Sequence, residues 1–227
     1  MAGYGGGGRA KTAGSTPRTR VRRLPPRGHY ERATIDAILD EALVSHLGFA
    51  VDGQPYVIPT LHARLDDHVY VHGSAASRAL KQLATGIRAC LTVTLVDGIV
   101  LARSIFNHSI NYRSVVVLGT AVEIAEPDEK LAALTAFSER MLPGRWDDVR
   151  PPTRKELKAT SILRLPLDEA SAKVRSGPPG DDEPDYAIPV WAGVIPTALI
   201  RGTPVADPKL AFDLPAPRWD GLPRKLK

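Results

Sequence analysis

One short stretch of this 227-residue chain combines hydroxyls, cations and a histidine at spacings that suit anion binding. It follows the strand-like residues 69–71 and reads His72-Gly73-Ser74-Ala75-Ala76-Ser77-Arg78-Ala79-Leu80-Lys81. We predict a helix with Ser74 as its N-cap and with Ser77, Arg78 and Lys81 on its polar face. Free backbone N–H groups at its N-terminus, beside these side chains, predict a phosphate site. The alternative is an ordinary amphipathic helix with a solvated basic face.

A second polar stretch, residues 103–114, is predicted to be a loop that interrupts two strands. It contains more aromatic and cationic groups than a plain hairpin turn requires. Tyr112 offers a flat face for a ring, while Arg113 and Ser114 offer donors for carbonyl or phosphate oxygens. This pattern predicts a binding loop; the alternative is that its residues only satisfy one another.

A third cluster, residues 171–179, has a strand-like beginning. Alternation places Lys173 and Arg175 on one face of that strand. They are candidates for closing a binding site. A charged strand edge that discourages association with other strands explains them equally well.

The histidines could form a metal site, for which His62, His68 and His72 are the closest set along the chain. A two-residue turn at residues 66–67 would pair position 62 with position 71 across the hairpin, so the imidazoles of His62 and His72 would point to opposite faces. No acid or cysteine completes the set at a useful spacing, and we predict no metal site. A serine hydrolase is not indicated either, because no Gly-x-Ser-x-Gly elbow is present.

Composition predicts a soluble globular protein, with 43% hydrophobic and 24% charged residues and no apolar run long enough to cross a bilayer. The single Cys90 cannot form an internal disulfide, and Arg22-Arg23 precedes no hydrophobic run. Together these features predict a cytoplasmic protein. Residues 1–28 contain seven basic residues and no acid. Their positive charge exceeds the net charge of +5 of the whole chain, so the rest of the chain is nearly neutral. No specific nucleic-acid partner is predicted.

Hydrophobic periodicity predicts the element order. A helix is expected in residues 31–45 and another from Pro127, the latter with an apolar stripe of Leu131, Leu134, Phe137 or Ser138, and Met141. Hairpins are expected around Asp52-Gly53 and Asp97-Gly98. The expected strands are residues 46–51, 56–65, 68–72, 90–96, 99–105, 115–125 and 162–167, with a short one in 187–200. A Pro-rich loop is expected between the second helix and the strand at residues 162–167.

Many short antiparallel strands with helices only as crossings favour a mainly β fold, and a barrel over a doubly wound sheet. We predict a disordered Gly-, Arg- and Pro-rich tail over residues 1–26, a domain over residues 27–200 and a Pro-rich C-terminal tail over residues 201–227.

The order of these motifs resembles a known family. After the first helix come Ile58-Pro59-Thr60-Leu61-His62, then Tyr70-Val71-His72-Gly73, Ser77-Arg78, Cys90-Leu91-Thr92-Val93 and Asn111-Tyr112-Arg113-Ser114-Val115-Val116. This succession is similar to the flavin-nucleotide-binding branch of the pyridoxamine 5′-phosphate oxidase-like superfamily, near the nitroimidazole-resistance reductases. Residues 171–179 and 189–196 also resemble the longer members. The resemblance covers residues 27–196.

The resemblance implies a split β-barrel that forms a homodimer and holds FMN, or FAD in some relatives, at the subunit interface. It places Ser74, Ser77, Arg78 and Lys81 around the flavin phosphate, and Thr60, Leu61 and His62 along the ring system. His72 and Gly73 would lie near the ribityl chain. Asn111, Tyr112, Arg113 and Ser114 match a stretch that contacts the flavin. Lys173, Arg175 and Trp191 are further candidates for closing the site.

Pyridoxamine-phosphate oxidases end in an Arg-Leu-Ala-Pro motif, whereas this chain ends Gly-Leu-Pro-Arg-Lys-Leu-Lys. Oxidation of pyridoxamine phosphate is therefore not expected. The resemblance instead implies a flavin-dependent oxidoreductase acting on an unknown small molecule. A flavin carrier or sensor without turnover is the main alternative. A haem-binding split barrel, with His62 or His72 as iron ligand, is ranked lower because the cationic stretch suits a phosphate better.

Overall fold

The computed structural model describes residues 15–212 and 214–217. They form two compact units. The first unit contains residues up to 95 together with residues 112–176, and the second contains residues 96–111 and those from 177 onward. The domain predicted over residues 27–200 spans both units, and its boundaries stay a prediction.

The described residues form short strands and five α-helices. The helices are α1 (Arg32–Glu41), α2 (Arg78–Ala84), α3 (Pro127–Met141), α4 (Arg145–Asp148) and α5 (Arg154–Ala159). The strands are β1 (Gly28–His29), β2 (Val44–Val51), β3 (Gln54–Leu61), β4 (Ala63–Leu65), β5 (His68–Ser74), β6 (Arg88–Leu101), β7 (Ser109–Thr120), β8 (Val122–Glu123), β9 (Thr160–Pro166), β10 (Ala170–Arg175) and β11 (Gly193–Pro196). Single 3-10 turns occur at Pro25–Arg27, Ile105–Asn107 and Glu183–Ala187.

The strands lie in two sheets. One has the order β1-β10-β7-β6-β2-β3, with β11 pairing with residues 98–101 of β6, and the other has the order β4-β5-β9-β8. The recorded strand pairs are antiparallel. The prediction of a mainly β fold with crossing helices is confirmed.

The first predicted hairpin forms because its turn residues tolerate a left-handed backbone. Asp52 and Gly53 have φ values of 50° and 79°, which match the two-residue turn that best fits twisted strands. Val51 consequently pairs with Gln54 across β2 and β3. The β4–β5 hairpin turns at Asp66, where φ is 48°, and its register has the predicted two-residue turn.

The core of the first unit has two apolar clusters. The larger one joins the buried face of α1, including Ile35 and Leu39, to the central strands. The smaller one lies beneath α3 and includes Phe137 and Tyr70. Burial of these side chains stabilises the fold by about 1.5–3 kcal/mol for each large residue. The smaller cluster fixes α3 above β5, the strand that carries His72.

Three sequence predictions about these elements are wrong. Residues 90–105 form no hairpin at Asp97-Gly98, because β6 runs without a break from Arg88 to Leu101. A Cβ on Gly98 would lie 2.8 Å from Val194, so this glycine admits β11 and does not turn the chain. Residues 111–114, predicted as loop, belong to β7. Helices α4 and α5 replace part of the predicted Pro-rich loop.

The predicted N-terminal tail falls partly outside the described residues. Of its described part, Arg18 forms an ion pair with Glu169, and the Val21 backbone N–H donates to the Tyr30 hydroxyl at 2.9 Å. Residues 201–212 and 214–217 contain no helix or strand. None of the helices in the described part of the chain is long and apolar enough to cross a membrane.

Candidate functional site

The stretch with which the sequence analysis began is organised differently from its prediction. Strand β5 continues to Ser74, which pairs with Thr160, and the Ser74 hydroxyl accepts the Ala76 N–H at 3.1 Å. Ser77, not Ser74, is the N-cap of α2, and its hydroxyl accepts the Leu80 N–H at 3.4 Å. Cross-strand pairing holds Ser74 in the extended backbone, so the helix begins one turn later than predicted.

Two cations of this stretch are available to an anion. Arg78 is exposed and donates to the Tyr56 hydroxyl at 3.0 Å, with its guanidinium carbon 5.5 Å from the Tyr56 ring centroid. Among the described residues it has no carboxylate partner. Lys81 is exposed one turn further along α2. Residues 68–96 contain three cations and no acid, so the local field favours a negatively charged ligand.

Tyr56 is a site residue that sequence reasoning missed. It lies on β3 and stacks on Phe49 of β2, with ring centroids 5.6 Å apart. This stack fixes the hydroxyl that accepts from Arg78. The only sequence signal was an aromatic residue in the strand just before the Thr60-Leu61-His62 motif.

The predicted strand residues Thr60 and Leu61 end β3, whose other long edge is free of a strand in the described residues. The Ser45 hydroxyl donates to the Thr60 carbonyl at 3.2 Å, and the Thr60 hydroxyl to the Leu61 carbonyl at 3.2 Å. Gly73 approaches Leu80 so closely that a Cβ would lie 3.0 Å from its methyl group. The Leu80 side chain would have to shift to admit a side chain at this position.

The second and third predicted clusters meet on neighbouring strands. Tyr112 pairs with Arg175, and Ser114 pairs with Lys173, across β7 and β10. The Ser114 hydroxyl donates to the Lys173 carbonyl at 3.3 Å. Arg113 forms an ion pair with Glu41 at the end of α1. Since β1 covers the other edge of β10 at Lys173, the alternative of a free charged edge does not apply there.

Two predicted residues belong to the second unit. The buried Asn111 side chain donates to the Gly177 carbonyl at 3.1 Å. Trp191 is 63% exposed. Their roles in a site stay predictions.

The first unit contains a largely apolar cavity of about 440 Å³ between the end of β3, β5 and the segment from α3 to α5, which we call the α3 cavity. Its lining residues are Leu61, His72, Leu134, Phe137, Ser138, Met141, Trp146, Arg150, Pro152 and Glu156. The sequence predicted the stripe of Leu134, Phe137 and Met141 on α3, but no periodicity shows that part of this stripe faces a cavity.

His72 is the histidine among the residues that line the α3 cavity. Its ring packs against Phe137, with centroids 4.2 Å apart, and its Nδ1 is buried without a hydrogen-bond partner among the described residues. Burial lowers the pKa of His72, so the imidazole is neutral at pH 7 and keeps a lone pair on one ring nitrogen. A neutral imidazole that lacks a partner in an apolar cavity is suited to metal ligation.

His62 has a different environment. Its Nε2 lies 2.9 Å from the Leu39 carbonyl at the end of α1, and Arg140 of α3 donates to the same carbonyl at 2.8 Å and also to the carbonyls of Asp40 and Ala42. Burial lowers the pKa of His62 to about 4. The neutral ring therefore donates from Nε2, and its side chain helps to close the C-terminus of α1.

No group of three or more His, Cys, Asp or Glu side chains in the described part of the chain could hold a metal ion. An iron that brings its own equatorial ligands, as haem iron does, needs only one or two protein ligands.

Comparison with known proteins identifies the family to which this chain belongs. Residues 31–174 match the family model described as pyridoxamine 5′-phosphate oxidase. The chain belongs to this family, as the sequence motifs predicted, and its mainly β fold is the family's split barrel. A search of curated proteins gave no match.

Two solved structures are similar over most of the chain. The flavocytochrome Anf3 from Azotobacter vinelandii is 44% identical with a TM-score of 0.84, covering 89% of this chain and 94% of that protein. A FAD and haem binding protein from Mycobacterium smegmatis is 37% identical with a TM-score of 0.82, covering 86% and 97%. A protein assigned to 5-nitroimidazole antibiotic resistance in Bacteroides thetaiotaomicron is 21% identical with a TM-score of 0.55, covering 65% and 86%, and shows the fold alone.

Proposed function

We propose that this chain is a redox protein that binds a flavin nucleotide and, in the α3 cavity, haem. The observation that carries the haem part is the neutral, unpartnered imidazole of His72 on the wall of an apolar cavity. Two relatives of 44% and 37% identity are a flavocytochrome and a FAD and haem binding protein, which supports this combination. Haem binding, the lower-ranked alternative from the sequence, is therefore part of the proposed function.

The residues of the α3 cavity fit haem. Apolar and aromatic side chains such as Phe137 and Met141 suit the faces of a porphyrin, and His72 would supply a ligand to its iron. Bound haem would supply one-electron chemistry.

The flavin part of the proposal rests on Arg78 and Lys81, which are exposed on α2, and on Ser77, the N-cap of this helix. These cations would hold the phosphate of FMN or FAD, and the Tyr56 hydroxyl would keep Arg78 extended toward it. The exposed backbone edge of β3 at Thr60 and Leu61 would hydrogen-bond the polar edge of the flavin ring. Bound flavin would supply hydride and electron transfer, and the protein would position it.

Substituting Arg78 with alanine should weaken FMN and FAD binding about tenfold. This loss of affinity is at the lower end of the range for removal of a charge-assisted hydrogen bond, because Arg78 is exposed. Quenching of flavin fluorescence during titration measures the dissociation constant. Arg154→Ala, a substitution of another exposed arginine on α5, is the matched control and should leave the affinity unchanged. Equal flavin affinity of the Arg78→Ala variant and the wild-type protein would contradict the assignment of Arg78 to the flavin phosphate.

Turnover separates an oxidoreductase from a flavin carrier or sensor. We propose an oxidoreductase, in which stopped-flow mixing with a reduced nicotinamide nucleotide bleaches the flavin band and a small electron acceptor restores it. A carrier or sensor would release or retain the oxidised flavin without such a cycle. The measurement uses the protein with both cofactors bound, because the flavin would accept the hydride of the nicotinamide and could then pass single electrons to haem.

We also propose a cytoplasmic homodimer. The exposed apolar side chains of the β2–β3 edge, among them Val57 at 66% and Val44 at 47% exposure, support a protein partner at this edge. The free, half-buried thiol of Cys90 supports a reducing compartment. Sedimentation equilibrium tests the dimer, for which we expect twice the 24.5 kDa mass of one chain.

A further inference from the structure

The mouth of the α3 cavity carries one arginine beside the apolar wall. Arg150 lines the cavity and its side chain is 67% exposed. Its two terminal nitrogens donate to the two carboxylate oxygens of Glu156, at 2.8 and 2.6 Å. Among the described residues, no Lys and no other Arg lines this cavity. Arg150 is therefore the cation within this lining that can bind an acidic group of a molecule in the cavity.

Glu156 does not depend on Arg150 for its hydrogen bonds. Its carboxylate accepts the Thr153 backbone N–H at 2.7 Å and the Thr153 hydroxyl at 3.0 Å, as part of the capping box of α5. Because these bonds stay when Arg150 leaves, the carboxylate remains paired at the helix N-terminus. The other hydrogen bond of Arg150 goes to the carbonyl of Pro151, the next residue, and can move with it.

We propose that Arg150 binds a carboxylate of the molecule that occupies the α3 cavity, taking it in exchange for Glu156. The cavity would thus select a flat apolar ligand with a carboxylate at its edge. This inference rests on the proposed haem function, since the propionates of haem are such carboxylates. The guanidinium offers two parallel N–H donors, as it now does to Glu156, and a second carboxylate fits the same fork.

Titration of the full-length protein with haem and with haem dimethyl ester, followed at the Soret band, tests the exchange. The ester has the same ring and iron but no carboxylate. Arg150→Gln should weaken haem binding about tenfold, which corresponds to about 1.4 kcal/mol, and should leave the affinity for the ester unchanged. Arg145→Gln is the matched control, since Arg145 pairs with Asp148 at 3.6 Å and does not line the cavity.

Glu156→Gln separates exchange from a merely structural role. Glutamine keeps the capping box but no longer competes as an anion for Arg150, so haem should bind about two- to fivefold more tightly and the ester with the same affinity. Weaker haem binding by Glu156→Gln, or equal effects of Arg150→Gln on haem and ester, would overturn the inference. Wild-type protein that binds neither probe would instead reject the haem function itself.

Discussion

Substitution of His72 with alanine should remove haem from the protein or weaken its binding by about a hundredfold or more. Loss of a partner that only orients a metal ligand typically costs 10–100-fold, and loss of the ligand itself costs at least as much. The neutral imidazole of His72, on the wall of the largely apolar α3 cavity, would be a ligand of the iron. Titration with haem at the Soret band measures the effect.

Two controls keep this result interpretable. His68→Ala removes a histidine from the same strand, and because His68 does not line the cavity its haem affinity should match that of wild-type protein. Free imidazole added to His72→Ala should restore part of the Soret signal by replacing the missing ligand. Unchanged haem affinity of His72→Ala would contradict the assignment of His72.

The unfolding free energy should fall by about 3 kcal/mol between pH 7 and pH 4 through His62 alone. Its pKa is about 4 in the folded protein and 6.5 in the unfolded chain, a difference worth about 1.4 kcal/mol per pH unit. Between these values the unfolded chain binds more protons, so stability decreases as the pH falls. Burial is the main cause, and Arg140 opposes the protonated ring while Asp40 favours it.

Comparison with His62→Gln isolates this contribution. Glutamine can still donate to the Leu39 carbonyl but does not titrate in this range. Urea unfolding at pH 7 and pH 4 should show a loss of stability that is about 3 kcal/mol larger for the wild-type protein than for the variant, because other groups cancel in the difference. Parallel losses in the two proteins would show that the His62 pKa is not lowered by folding.

The sequence predicted elements where local chemistry determines the structure. Asp52-Gly53 identified a hairpin because few residue pairs accept a left-handed backbone at both positions. The Ile35, Ile38 and Leu39 stripe identified α1, whose buried face carries these side chains. The motifs between Thr60 and Ser114 identified the family, which the matching of residues 31–174 confirms.

The sequence failed where a distant segment determines the local structure. Asp97-Gly98 has the composition of a turn, yet close packing of Val194 and Ile195 on Gly98 keeps β6 extended. Ser74 has the chemistry of an N-cap, but pairing with Thr160 holds it in β5. These contacts are with residues 86 to 97 positions away, and propensity carries no information about them.

The candidate haem site was the least predictable part. The family resemblance places His72 near the ribityl chain of the flavin, with iron ligation as the lower-ranked alternative, and only the structure packs its ring against Phe137 beside the α3 cavity. Trp146, Arg150 and Glu156 lie in a stretch predicted as loop. Their position follows from two short helices, α4 and α5, of four and six residues, too short for a periodic pattern.

The absorption spectrum of the purified protein, oxidised and after reduction by dithionite, tests the central proposal most directly. We expect a flavin band near that of free oxidised flavin, a Soret band that shifts on reduction, and both cofactors among the small molecules that mass spectrometry detects after denaturation. A colourless protein whose spectrum shows no binding when FMN, FAD or haem is added would contradict the proposed function.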